Sequence, residues 1–159
     1  MDEHIFIWAI MMNQKDMSMI FWPRGTNFIC TALIASCLLK SLSDIAFSEA
    51  DMELSTSYGD NSRYFESLAY NLLDNIYSKN RSVCQDLLVT KVEKYGSTTP
   101  LALSALKSLK NFMGHTACQT TLNTIWKGDI LTYISTLKII AIFFLCPVLA
   151  PRYMTNETK

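Results

Sequence analysis

The stretch that decides the fold lies at residues 26–48 and reads TNFICTALIASCLLKSLSDIAFS. Five apolar residues recur at helical spacing along one of its faces: Ala32, Ala35, Leu39, Leu42 and Ala46. Thr26 precedes the run as the expected N-cap, since its hydroxyl can accept a hydrogen bond from an early helical N–H. Because three of the five are alanines, a second helix can approach this face closely. The stretch therefore predicts a long core helix with a helical partner.

The 25 residues before it predict two short helices and a turn. The first helix is expected to bury a stripe at i, i+3, i+4 and i+7, formed by Ile5, Trp8, Ala9 and Met12. The second is expected to turn three residues inward, namely Met17, Ile20 and Phe21. It ends at Trp22-Pro23-Arg24-Gly25, because proline lacks a backbone N–H and glycine permits a turn.

The residues that follow the core helix, 49–63, read EADMELSTSYGDNSR and lose the helical periodicity. We predict an acidic polar linker here. Four of its acidic residues have offsets that resemble those of a calcium-binding loop: Glu49, Asp51, Glu53 and Asp60. Leu54 stands where such a loop needs glycine, so a solvated linker is the preferred interpretation.

Residues 64–128 predict a second group of helices. Two of them form an antiparallel pair, with core positions Phe65, Leu68, Leu72 and Ile76 on one helix and Val83, Leu87 and Leu88 on the next. Gly96 suits the position after a helix end, and the Ser/Thr residues before Pro100 suit the start of another helix. That helix runs through Leu109, with core positions Leu101, Ala105 and Leu109. The last helix of this group spans 111–126, with core positions Phe112, Leu122, Ile125 and Trp126.

Residues 129–159 are expected to form an apolar juxtamembrane helix and a polar tail. The run IIAIFFLCPVLA at 139–150 is apolar all round, so protein or lipid must cover it. A membrane span needs about 20 apolar residues, and Pro147 interrupts this shorter run. We therefore expect the segment near 139–152 to lie at a membrane interface without crossing it.

The composition is that of one helical domain with partners. Half of the 159 residues are hydrophobic and only 18% are charged. Residues 1–80 hold 5 Lys+Arg and 10 Asp+Glu, and residues 81–159 hold 9 and 4. No dense basic cluster occurs and the pI is near 6.7, so nucleic acid is not an expected partner. Five widely spaced cysteines in apolar runs predict free thiols in cytosol: Cys30, Cys37, Cys84, Cys118 and Cys146.

The polar residues predict no catalytic, cofactor or metal site. His115 and Cys118 share a helix face, but a structural zinc site needs four ligands and the only other histidine is His4. The preferred interpretation is a buried thiol beside a histidine that makes local hydrogen bonds. Neither GxGxxG nor GxxxxGK[ST] occurs. An enzyme is therefore not expected, and the sequons at Asn80 and Asn156 are expected to be unused in cytosol.

Three strings of residues occur in order along the chain. The first comprises Ile5-Phe6-Ile7-Trp8-Ala9 with Met12-Asn13, Met17 and Phe21-Trp22. The second comprises Tyr95-Gly96-Ser97-Thr98-Thr99-Pro100-Leu101 with Leu103 and Ala105. The third comprises Phe112, His115-Thr116, Cys118-Gln119, Leu122, Trp126 and Gly128. Together they resemble the region before the pore in the melastatin branch of transient receptor potential cation channels, apart from Tyr95 for a common tryptophan and Pro100 for a frequent cysteine.

This resemblance implies an all-α scaffold of stacked antiparallel helical pairs that ends in an apolar pre-membrane helix. The periodicity and composition along the chain divide it into a hairpin plus long helix at 1–48, the linker at 49–63, the second helical group at 64–128 and the juxtamembrane segment at 129–159. The resemblance implies a cytosolic segment of a calcium-permeable cation channel subunit, which couples cytosolic domains to the pore and does not itself conduct. Other channel subunits, in a homotetramer, are the expected partners. The alternative is a free-standing helical interaction or regulatory protein, such as a truncated isoform, that binds channel subunits.

Overall fold

The computed structural model describes residues 2–127 of the chain, except for the side chains of Asp2 and Lys94. Over this range the fold is all-α, as predicted. Eight α-helices follow one another: α1 Asp2–Met11, α2 Lys15–Phe21, α3 Phe28–Ser48, α4 Met52–Lys79, α5 Arg81–Val89, α6 Pro100–Leu106, α7 Lys110–Met113 and α8 Thr116–Lys127. Two 3-10 helices, Trp22–Arg24 and Glu93–Tyr95, lie between them. Residues 2–121 belong to one compact unit.

The juxtamembrane predictions for 129–159 lie outside the described residues. The same holds for Gly128, Cys146 and Asn156.

The α3–α4 pair forms the core of the compact unit. Two pairs of serines join the helices, Ser36 with Ser62 and Ser43 with Ser55. Because the residue number falls on α3 as it rises on α4, the two helices are antiparallel. The predicted face of α3 is buried at four of its five positions, and Leu42 is half-buried. The observed N-cap is Asn27, whose side chain accepts a hydrogen bond from the Cys30 N–H, so the predicted cap is displaced by one residue.

By length and composition, α3 is also the one described helix that could cross a membrane. Core helices of water-soluble proteins pass the same test, and α3 packs against α1, α4 and α6. It also carries Lys40 and Asp44. Its apolar character is therefore explained by its place in the core.

The predicted linker at 49–63 is wrong over most of its length. Residues 52–63 belong to α4, and only three residues separate α3 from α4. Asp51 caps α4 by accepting a hydrogen bond from the Leu54 N–H. Asp60 forms an ion pair with Arg63, three residues later on the same helix. The acidic residues therefore serve the start and exposed face of a helix, and their spacing is not that of a loop around a cation. Ser55 and Ser62 point to α3, which supplies the partners that the local composition does not reveal.

The predicted buried faces of α1 and α2 are also wrong at several positions, although Ala9 is buried as predicted. In α1 the buried residues are Phe6, Ala9 and Ile10, whereas Trp8 and Met12 are about half exposed. In α2 the buried residue is Ser18, whereas Met17 and Ile20 are exposed. Because residues 5–11 of α1 are all apolar, hydrophobic periodicity could not select the face that packs on α3.

The second half departs from prediction in the phase and length of its helices. The buried stripe of α4 is rotated relative to the predicted one, because Leu68, Leu72 and Ile76 are only half-buried. The observed stripe comprises Ser62, Phe65, Glu66, Ala69 and Leu73. On α5, Cys84 and Leu88 are buried but Val83 is exposed, and on α6 Ala105 is exposed. The helix predicted at 111–126 is two helices, divided at Gly114 and His115, and its predicted core residues Ile125 and Trp126 are exposed.

Candidate functional site

Many residues of the three strings lie where helices meet one another. We call these places helix junctions: positions where polar groups fix a helix end or the turn beside it. The first junction contains Asn13, in the turn between α1 and α2, with a φ of 57°. Its Nδ2 donates to Ser57 Oγ at 2.7 Å, and its Oδ1 accepts from Asn61 Nδ2 at 2.7 Å. Both partners are on α4, so Asn13 attaches the α1–α2 hairpin to the core pair.

Three other residues of the first string differ in their surroundings. Ala9 is fully buried, which lets α1 approach α3. Trp22 donates from its indole Nε1 to the Phe28 carbonyl oxygen at 3.2 Å, and the two rings meet edge to face. Trp8, in contrast, is half exposed. The string thus supplies two contacts of the fold and one exposed aromatic side chain.

The second junction leads from α5 into α6. Gly96 has a φ of 77°, in the left-handed region that favours glycine. The Val92 N–H then donates to the Thr98 carbonyl oxygen at 2.9 Å, which closes the loop. Thr99 caps α6 by accepting from the Ala102 N–H, and Pro100 occupies the first turn of the helix. The turn chemistry read from these residues accounts for the observed geometry.

The third junction joins α4 to α7 through Glu66, which the sequence analysis did not single out as a functional residue. Its Oε1 accepts two backbone hydrogen bonds, from Asn111 N–H at 2.9 Å and from Phe112 N–H at 3.1 Å. Phe112 is fully buried and Glu66 nearly so. A buried carboxylate needs such partners, and the N–H groups of a short helix lack intrahelical ones. Its position along the chain was one indication of this role, because Glu66 lies on the same helix face as Phe65 and Ala69, which are buried.

The fourth junction is formed by His115, between α7 and α8. Its Nδ1 accepts a hydrogen bond from the Ala117 N–H at 3.0 Å, and its Nε2 lies 3.3 Å from Asp74 Oδ1 on α4. The Tyr70 and Tyr77 rings meet the imidazole edge to face, at centroid distances of 4.8 and 5.7 Å. The expected histidine with local hydrogen bonds is present, with a further contact to α4.

The remaining residues of the third string are divided between core and surface. Gln119 donates from Nε2 to the Met113 carbonyl oxygen at 2.7 Å, which ties α8 back to α7. Cys118 is fully buried, whereas Thr116 is exposed at the start of α8. Leu122 is half-buried and Trp126 is exposed. Only part of the string therefore contributes to the fold of the described residues.

The four described cysteines are free and buried, as expected. Burial raises the pKa of the Cys118 thiol to about 12, and those of Cys30 and Cys37 to about 11. Burial also raises the pKa of Cys84. Since the thiolate is the reactive form, these groups behave as small apolar core residues near neutral pH. Cys30 and Cys37 therefore act as core residues of α3.

Among residues 2–127, no group of three His, Cys, Asp or Glu side chains could hold a metal ion. Cys118 lies on α8 and His115 directly before it, but the His115 nitrogens are directed to Ala117 and Asp74. The arrangement can align and fasten helices. In this range it does not assemble a nucleophile with an oriented base.

Comparison with known proteins identifies the family of the chain. The TRPM2-like domain family matches residues 2–115. The transient receptor potential cation channel subfamily M member-like 2 of Nematostella vectensis is 30% identical over 146 residues, which cover 91% of this chain and 9% of that protein. Member 5 of Homo sapiens is 30% identical over 91% of this chain and 12% of its own length. Member 6 of Homo sapiens is 29% identical over 98% of this chain and 8% of its own length.

The chain thus spans about a tenth of the length of these relatives, all of which are named as cation channels. The family match covers the first two strings and reaches His115 of the third. The resemblance inferred from the three strings is confirmed. The chain belongs to the melastatin subfamily of transient receptor potential channel proteins.

Proposed function

We propose that this chain is a cytosolic scaffold segment of a melastatin-type, calcium-permeable cation channel subunit. It couples cytosolic domains to the pore through rigid helical pairs and does not conduct ions itself. Its partners are other channel subunits, in a homotetramer on the cytoplasmic face of a membrane. It has no catalytic role in this proposal, and its motif residues have structural roles.

The observation that carries the proposal is the position of the motif residues at helix junctions. Asn13, Thr99 and His115 each use polar atoms to fix a helix end or a turn. A chain selected for chemistry is expected to direct such groups into a shared cleft. A chain that transmits movement needs rigid elements with defined joints between them, because packed helices shift as units.

The α3–α4 pair supports the same role. Its helices have 21 and 28 residues, and two serine pairs, one buried and one partly buried, fix the alignment of the helices. At about 1.5 Å per residue, α4 spans roughly 40 Å. An element of this length can carry a displacement from one end of the scaffold to the other.

The proposal is tested by exchange into a relative. The matching segment of the human member 5 channel is replaced by this chain, and whole-cell cation current and surface expression are measured. We expect the chimera to conduct, and the same chimera with Asn13→Ala to reach the surface but give less current, because the hairpin loses its attachment to α4. The exposed α4 substitution Asn71→Ala is the matched control.

Two outcomes would contradict the proposal. A surface-expressed chimera without current would show that the chain cannot serve as the scaffold. Cation current in cells that express the chain alone would overturn the assignment as a non-conducting segment.

A second candidate, a free-standing regulatory protein that binds channel subunits, is favoured by the exposed apolar side chains of the α1–α2 hairpin. Four of these are at least half exposed: Trp8, Met11, Met12 and Ile20. Large exposed apolar side chains that lie together mark interaction surfaces. Co-purification of the chain with the full-length member 5 channel, lost on Trp8→Ser and kept on Phe47→Ser, would support this candidate. Equal recovery of both variants would count against it.

A further inference from the structure

The hydrogen bonds of His115 fix which of its nitrogens carries a proton. The Ala117 N–H can only donate, so Nδ1 must accept and must be unprotonated. A neutral imidazole has one donor and one acceptor nitrogen, so Nε2 carries the proton. Nε2–H then donates to Asp74 Oδ1, at a nitrogen-to-oxygen distance of 3.3 Å. The geometry requires the neutral Nε2–H tautomer.

A second proton would change the partners of His115. In the imidazolium both nitrogens are donors, so the Ala117 N–H loses its acceptor. The positive charge would also lie at the N-terminus of α8, where the helix dipole opposes it. At Nε2, however, the hydrogen bond to Asp74 becomes charge-assisted and stronger. Protonation thus weakens the attachment to α8 and strengthens the attachment to α4.

Within residues 2–127, titratable and charged groups of α4, α5 and α7 lie in the surroundings of the ring. From α4, Asp74, Tyr70 and Tyr77 face the imidazole. From α5, the Arg81 guanidinium lies over the Tyr77 ring at 5.3 Å. The Tyr77 ring separates it from the His115 imidazole. From α7, Lys110 lines a shallow cleft together with Tyr70. Among the residues that the structure describes, Asp74 supplies the one carboxylate at hydrogen-bond distance from the ring, and its side chain is 67% exposed, which gives the pair a route to solvent.

We propose that His115 is a pH-sensitive contact between α4 and α8. When neutral, it accepts from Ala117 in the first turn of α8 and donates to Asp74; when protonated, it releases that turn and its hydrogen bond to Asp74 becomes charge-assisted. This device is local to the compact unit and goes beyond the proposed channel role, on which it does not depend.

The chain offers a direct test because it contains only two histidines. In the full chain labelled with ¹⁵N-histidine and ¹⁵N-alanine, NMR reports the protonation of each imidazole and the hydrogen-exchange protection of the Ala117 amide. His4 is exposed and serves as the internal reference. We expect an Nε2–H tautomer for His115 at neutral pH. On acidification we expect the Ala117 protection factor to fall by roughly 2–10-fold as His115 gains its second proton, since one hydrogen bond is lost.

Two variants separate the contact from general acid effects. His115→Asn keeps a side-chain oxygen that can cap a helix but has no titrating group, so Ala117 protection should no longer follow pH. Asp74→Asn removes the carboxylate, so the protonated ring should lose its charge-assisted bond to α4. An Nδ1–H tautomer at neutral pH, or an Ala117 protection factor that is the same for both states of His115, would overturn the proposal.

Discussion

Two regions of this chain hold their helices together in different ways. In the α3–α4 pair, long helices satisfy most backbone groups internally, and they carry fully buried apolar residues such as Leu33, Leu39 and Phe65. In the α6–α8 region the helices have 7, 4 and 12 residues, so a larger share of their N–H and C=O groups lies in terminal turns. Side chains of α3 and α4 provide hydrogen-bond partners for several of these groups.

The contrast shows how helix length decides the kind of stabilisation. Glu66 supplies acceptors to α7, and the Lys40 ammonium donates to the Lys107 and Ser108 carbonyl oxygens where α6 ends. In the long pair, the serine hydroxyls add to a contact that apolar packing already secures. We therefore expect the first region to depend on volume and the second on individual polar atoms.

The largest effect is expected from Phe65→Ala in the long pair. Phe65 is fully buried and meets Phe6 edge to face at 6.3 Å. Loss of its ring should lower the free energy of unfolding by about 3–5 kcal/mol, as for other buried phenylalanines. Urea denaturation followed by circular dichroism measures the change. Phe47→Ala, on an exposed side chain of the same helix pair, is the control and should change stability by less than about 0.5 kcal/mol.

Thiol chemistry compares how well the two regions exclude water. The pKa of Cys118, at about 12 against the ordinary 9.0, implies roughly a thousandfold less thiolate near pH 8 than for a free thiol. Alkylation in the folded chain should be slower at Cys118 than at Cys30 and Cys37, and fast at all of them in urea. Equal rates in the folded chain would show that the short-helix region opens as readily as the long pair.

The same pKa values predict the direction of a stability change with pH. The thiols are neutral in the folded chain up to about pH 11, whereas in the unfolded chain they ionise near 9.0. The unfolded state therefore holds fewer protons above that pH, and stability should fall as pH rises from about 9. Urea midpoints across pH 8–10.5 measure it. The variant Cys30→Ala with Cys118→Ala should show a smaller slope.

A smaller effect is expected from Glu66→Ala in the short-helix region. The substitution removes the acceptor of two N–H groups of α7, one of them buried. The free energy of unfolding should fall by about 2–3 kcal/mol, with loss of amide protection at Phe112. Glu66→Gln keeps an acceptor oxygen and should lose less. If the two variants were equally stable, the hydrogen bonds would not be what holds α7.

The smallest effect is expected from Thr99→Ala at the start of α6. The N-cap bond to the Ala102 N–H is lost, which typically costs about 1 kcal/mol. Thr99→Ser retains the hydroxyl and should restore most of the stability in the same urea measurement. If Thr99→Ala lowered the free energy of unfolding as much as Glu66→Ala, helix caps and buried side-chain hydrogen bonds would contribute equally to stability in this region.

Prediction from sequence succeeded where the signal is local. The turn at Gly96 and the start of α6 at Pro100 follow from the backbone preferences of the residues themselves. The same holds for the existence of α3, which twenty-one residues of nearly unbroken helical pattern indicate. It failed at 49–63, where polar residues that suggest a linker in isolation are in part the face of α4 toward α3.

The candidate site could be predicted only in part for the same reason. The three strings identified the family, and several of their residues lie at junctions. Their partners could not be read from the chain, since Asn13 bonds to residues 44 and 48 positions away and Glu66 to residues 45 and 46 positions away. Such pairs are set by how helices cross, which no local pattern contains.

The sequence alone thus determined the all-α class, the capped start of α6 and the membership of the melastatin subfamily. The tertiary structure alone decided which face of α1 is buried, that α4 extends through the polar segment, and that Glu66 and His115 fasten α7 and α8 to the core. The physical reason is that helix propensity and capping act within one or two turns. Burial and long-range hydrogen bonds depend on the neighbour that covers each face.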